Sequence, residues 1–98
     1  MAAPVRILIQ FSAESPETAD GLSAAMAQRC REGQKEPGCI QFETFRSVMR
    51  PEVYALVELW ESQEALDVHE AGMAPRQPNP QVLSTVSEHY EHKVHRVH

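Results

Sequence analysis

The 98-residue sequence has little of what announces a function. It has two cysteines, four glycines, one tryptophan and only 9 Lys and Arg against 14 Asp and Glu, a net charge of −5. The two cysteines, Cys30 and Cys39, do not form a CxxC pair, so no redox motif or thiolate metal knuckle is expected. In a reducing compartment they read as free thiols. The glycines are isolated, which rules out a phosphate-cradling loop and the flavin and nicotinamide fingerprints. The basic residues are scattered, and a phosphate or acidic-membrane partner needs them concentrated. The opening MAAPVRILIQF holds one short apolar run without a basic leader. That run is too short for a signal-peptide core or a membrane span, so the expectation is a cytoplasmic protein.

What is present is one small domain's worth of regular pattern. Val5, Ile7, Ile9 and Phe11 alternate with Arg6, Leu8 and Gln10, predicting a first strand. Ser15, Pro16 and the acids Glu17 and Asp20 are a helix start: a capping hydroxyl, a preset φ and negative charge at the positive dipole end. Ala19, Leu22, Met26 and Cys30 give that helix an apolar stripe to about Gly33. EPGC (Glu36–Cys39) is a turn, and Ile40–Phe45 alternates as a second strand. Pro51 supports a hairpin connection to a third strand, Val53–Glu61. Ser62 then caps a second helix ending near Gly72.

The C-terminal part is less regular. MAPRQPNP carries three of the seven prolines and reads as a loop. Gln81–Glu88 reads as a short helical segment and Glu91–Val97 as a fourth strand. The order β-α-β-β-α-β is that of a ferredoxin-like α+β sandwich: a four-stranded antiparallel sheet with both helices on one face.

The third strand is apolar on both faces. Val53, Ala55, Val57 and Leu59 form one, and Tyr54, Leu56, Glu58 and Trp60 the other. A sheet buried on one side alone would alternate more cleanly. The sheet is therefore expected to be covered on both sides, by helices on one and by a second copy of the chain on the other, a homodimer joined through its sheet faces.

EPGC before the second strand, ELWES at the end of the third and EALDVH on the following helix together resemble the antibiotic biosynthesis monooxygenase (ABM) family. The resemblance runs from about Val5 to Gly72. It implies a dimeric ferredoxin-like α+β barrel. The activities it brings into view are cofactor-independent oxidation of polyketide phenols by dioxygen, quinol oxidation, isomerisation of a signal molecule and haem degradation. The sequence departs from the haem-degrading members. Their histidine ligand falls about ten residues beyond His69, where this chain has RQPNPQ around Asn79, and their catalytic tryptophan falls near His69 itself.

The candidate site follows from these placements. Trp60, Tyr54, Leu56 and Leu66 are expected to line a small apolar or aromatic ligand, the indole N–H serving as a donor. A desolvated Glu58 would act as a general base toward a phenol, unless it pairs with Arg6, Arg46 or Lys93. His69 shares the inward helix face with Leu66 and Ala65. It is the second catalytic candidate, a base or donor of near-neutral pKa. Deprotonating an activated phenol makes a species electron-rich enough to give one electron to dioxygen, so no metal or cofactor is called for. For Trp60 and His69 the structural readings are a core filler and a partly buried histidine bonded to backbone or partner.

The tail EHYEHKVHRVH places His89, His92, His95 and His98 three residues apart. On a strand such residues alternate faces, and His92 and His98 would lie roughly 20 Å apart, too far for one ion. A solvated end strand is expected there, with Tyr90 near the pocket mouth. A non-catalytic dimeric ligand-binding module and an isomerase on the same fold are the alternatives to an oxygenase.

Overall fold

The computed structural model describes residues 3–73 and 82–91, and within the last strand only the Glu88 side chain. The elements are β1 (Val5–Ala13), α1 (Pro16–Gly33), β2 (Cys39–Arg46), β3 (Val53–Trp60), α2 (Gln63–Ala71) and β4 (Val82–Glu91). The four strands form one antiparallel sheet in the order β2-β3-β1-β4, the ferredoxin-like arrangement.

Both helices start as the sequence requires. The Ser15 hydroxyl accepts from Thr18 N at 3.1 Å with Pro16 in the first turn, and the Ser62 hydroxyl accepts from Ala65 N at 3.1 Å. Each cap satisfies a backbone N–H that the helix cannot pair internally. Because Ser62 follows β3 so closely, α2 folds straight back over the strand it leaves.

The helix-facing residues of the sheet make the core. Ile7, Phe42, Leu56, Trp60 and Leu66 pack with Val5 and Cys30 in one cluster. Phe11, Ala13, Ala19, Leu22 and Tyr54 form a second. At the end of α1 the helix comes so near β2 that a Cβ on Gly33 would sit 2.6 Å from the Phe42 ring. Only a residue without a side chain lets the fully buried Phe42 lie flat beneath the helix.

The opposite face is only partly shielded. Val53 and Leu59 are buried, whereas Leu8 is 37% and Phe45 50% exposed. A register shift between Cys39 and Gln41 turns Ile40 outward, so β2 alternates from Gln41 rather than from Ile40 as its sequence suggested.

The last strand differs from its expectation. The segment read as helical, Gln81–Glu88, is mostly strand, since β4 begins at Val82 and ends at Glu91, where the fourth strand was expected to begin. Val82, Thr85 and Val86 are β-branched and favour a pleated strand. The deciding term is the partner: β1 pairs with β4 along its whole length, from Val5↔Glu91 to Ala13↔Val82. The expected strand residues beyond Glu91, with Lys93, His92, His95 and His98, and the RQPNPQ segment around Asn79 lie outside the described residues, as do the side chains of His89 and Tyr90.

Candidate functional site

Among the described residues, Glu58 is the one carboxylate that the fold places deep in the core. It is 4% exposed and sits on β3 between Ile7 of β1 and Phe42 of β2, apolar on both sides. A carboxyl group in such a place needs donors, because burial without partners costs several kcal/mol (about 2–7 for a neutral polar group, more for a charge). Trp60 supplies one. Its Nε1–H donates to Glu58 Oε1 at 2.9 Å. The two side chains point to the same face because they are two residues apart on a strand.

His69 comes to the same place from α2. It lies one turn beyond Leu66, and both are buried. Its ring lies 4.5 Å from the Trp60 ring, tilted by 30°, and edge-on to Phe42 at 5.9 Å. Its Nε2 is 3.9 Å from Glu58 Oε1. Its Nδ1 is 2.8 and 2.7 Å from the two carboxylate oxygens of Glu36. The chain Glu36–His69–Glu58–Trp60 thus runs from a side chain 34% exposed to one wholly buried.

Glu36 was not singled out in the sequence. It belongs to the turn before β2, 33 residues from His69. The turn is pinned by two backbone bonds, Cys39 N to Glu36 O at 3.2 Å and Glu61 N to Gly38 O at 2.9 Å. The second ties it to the end of β3, right where α2 begins, and so brings Glu36 alongside His69. Gly38 makes this possible with φ +79° and its Cα hydrogens against the Ala65 methyl. The glutamate of EPGC was the available signal, but only the tertiary contact gives it a role.

Cys39 borders the cluster. Burial first, then the charges of Glu58 and Glu36, push its thiol above the ordinary value, so it stays protonated at neutral pH. Both cysteines are free. Among the described residues no group of His, Cys, Asp and Glu has the geometry to hold a metal ion.

The expected pocket residues divide. Trp60, Leu56 and Leu66 share one core cluster, in which Trp60 touches both Glu58 and His69, and Trp60 and Leu66 are fully buried. Tyr54 shares their face but belongs to the other cluster. Six residues of strand separate it from Trp60, roughly 20 Å at about 3.3 Å per residue. Tyr54 donates to Ala19 O at 2.8 Å and hydrogen-bonds Ser23 Oγ at 2.5 Å. It floors an open groove of about 390 Å³ between α1 (Ser23, Met26, Cys30) and the edge strand β2 (Thr44, Arg46). Trp60 and His69 do not line this groove.

Neither arginine expected as a rival partner reaches Glu58. Arg6 donates to Gln41 Oε1 on the far face of the sheet. Arg46 bonds Asp20 at 2.5 Å and the Pro16 and Pro51 carbonyls, and Asp20 raises its pKa further, so it remains a cation.

Comparison with known proteins bears on this arrangement. A candidate antibiotic biosynthesis monooxygenase from Deinococcus radiodurans superposes with a TM-score of 0.77 at 19% identity, over 95% of this chain and 96% of its own. The haem-degrader MhuD of Mycobacterium tuberculosis, solved with two haems in its active site, superposes at 0.71 with 22% identity, over 95% and 99%. Protein SO0527 of Shewanella oneidensis gives 0.73 at 22%, over 92% and 91%. At these identities the likeness is one of fold. No curated protein matches the chain. The family model for antibiotic biosynthesis monooxygenase matches residues 4–77, which takes in both helices, the first three strands and every residue of the Glu36–His69–Glu58–Trp60 chain. The chain belongs to the antibiotic biosynthesis monooxygenase family.

Proposed function

We propose that this protein is a cofactor-independent monooxygenase or oxidase of the cytoplasm, acting on a small phenolic or quinol-like substrate. The observation that carries the reading is the meeting of His69, Glu58 and Trp60 in one buried cluster. Because the His69 side chain is only 4% exposed, the reading requires the packing over the ring to open and admit the substrate. Burying two titratable groups side by side in a core is expensive, so their meeting is an arrangement the fold maintains at a cost. His69 takes the phenolic proton: the O–H bond breaks, an N–H bond forms, and the electron pair stays on oxygen. The resulting phenolate gives one electron to dioxygen, and the radical pair recombines at a ring carbon to a peroxide anion. That anion takes the proton back from His69, and loss of the remaining C–H proton with cleavage of the O–O bond releases water and leaves the quinone carbonyl. Glu58 stabilises the imidazolium, and Trp60 holds Glu58 in place.

Oxygen uptake tests this with a panel of anthrones and hydroquinones. His69→Ala is expected to lower the rate roughly 100- to 10,000-fold, the usual worth of a general base. Equal rates in wild type and variant would remove His69 from the mechanism.

A second reading, a dimeric module that binds a small apolar ligand without turning it over, draws on one observation: the open groove floored by Tyr54 is separate from His69. Saturable binding of the same phenols without oxygen uptake, weakened by Met26→Arg, is the result that favours it.

The assembly we propose is a homodimer packed through the sheet face opposite the helices. Support comes from Leu8 and Phe45, half open on that face beside Val57 and Ala55. A mass of twice the chain is expected by light scattering at micromolar concentration, falling to one chain in Leu8→Arg. A monomeric wild type contradicts it. Among the described residues no helix is long and apolar enough to cross a membrane.

A further inference from the structure

We propose that Glu36 is the positioning residue of His69, fixing which ring nitrogen carries the proton and leaving Nε2 as the working atom. The catalytic half of this rests on the reading of His69 as the base; the positioning half does not. An ionised carboxylate only accepts hydrogen bonds. Both Glu36 oxygens lie within 2.8 Å of Nδ1, so Nδ1 must carry a hydrogen. In the neutral ring the lone pair is then on Nε2. That nitrogen looks into the core, toward a Glu58 oxygen already accepting from the Trp60 N–H.

The arrangement matters because an imidazole can be a base at either nitrogen. Without Glu36 the ring would be free to hold its proton on Nε2, facing Glu58, and to turn its basic nitrogen outward toward the surface turn. With Glu36 in place, a proton taken from a substrate arrives at Nε2, and the imidazolium so formed has a carboxylate at each end. Glu36 from the turn and Glu58 from β3 both come within 4 Å of the ring nitrogens, and the Cys39 thiol of β2 lies beside both carboxylates.

Two substitutions separate geometry from charge. In Glu36→Gln an amide oxygen still accepts from Nδ1–H, but the charge is gone. In Glu36→Ala both are lost. Because Glu36 sits at the surface of a turn, both variants are expected to keep the wild-type circular dichroism spectrum. Nitrogen-15 NMR of the His69 ring reads the tautomer directly. The wild type and Glu36→Gln are expected to show the Nδ1–H tautomer. Glu36→Ala is expected to lose the preference for Nδ1–H. An unchanged tautomer in Glu36→Ala overturns the assignment. Oxygen uptake by the same proteins tests the other half: kcat should fall at least tenfold in Glu36→Ala with KM little changed. If the wild type oxidises no substrate while the tautomer follows Glu36, the positioning stands and the oxygenase reading alone fails.

Discussion

Trp60→Ala is expected to remove about 3–5 kcal/mol of stability, the range for deleting a large core aromatic. A domain of this size has about 5–15 kcal/mol in all. The variant should therefore unfold at much lower urea concentration, or fail to accumulate folded. Three losses combine. Trp60 is wholly buried, so its removal opens a cavity under α2. It packs edge-on against Phe42 and beside His69, so two further rings lose a neighbour. It also supplies the N–H that satisfies Glu58. Trp60→Phe separates the last term from the others. Phenylalanine refills most of the volume but has no donor, and a buried acceptor left unmade costs about 1–3 kcal/mol. Urea denaturation at one fixed protein concentration reads both, since any association adds a concentration-dependent term. If Trp60→Phe unfolds with the wild type, the bond to Glu58 contributes nothing net.

Gly38→Ala is expected to be the next most damaging small change. A backbone at φ +79° costs an L-residue about 1–2 kcal/mol. The new methyl would also lie 2.6 Å from the Ala65 Cβ and 3.2 Å from Glu61, and relieving such overpacking costs about 1–3 kcal/mol more. Moving the turn away from α2 carries Glu36 away from His69, so the Nδ1–H tautomer preference of His69 should weaken along with stability. Gly21→Ala is the control. Nothing lies within 4 Å of a Cβ there, and the site is exposed within α1. It should gain up to about 1 kcal/mol from helix propensity. Equal midpoints for the Gly38 and Gly21 variants would show that the turn tolerates a side chain.

The parts of this structure legible in the sequence are those governed by repeats a few residues long. Ser15 and Ser62 announced both helices because a cap is a contact between residues three apart. The alternation of Val5–Phe11 and of Tyr54–Trp60 set strand and facing together, since successive side chains on a strand must take opposite faces. Those two facts were enough to put Glu58 and Trp60 on the inner face and His69 and Leu66 on the inner stripe of α2. The family resemblance rested on the same local spacings.

Tertiary structure decided what depends on distance across the fold. The position of β4 was settled by the ladder that β1 offers it, not by the weak local pattern of Val82–Glu91. Glu58 found its donor two residues away on its own strand, because Arg6 lies on the opposite face and Arg46 is held by Asp20. A shared face joined Trp60 to His69 but not to Tyr54, since strand length along a face separates what parity unites. Above all, the approach of Glu36 to His69 needed the turn before β2, the end of β3 and the start of α2 to converge. The sequence by itself determined which side chains look inward; only the packed chain determined which of them meet, because hydrogen bonds and cavities are set by ångströms between elements and not by residues along them.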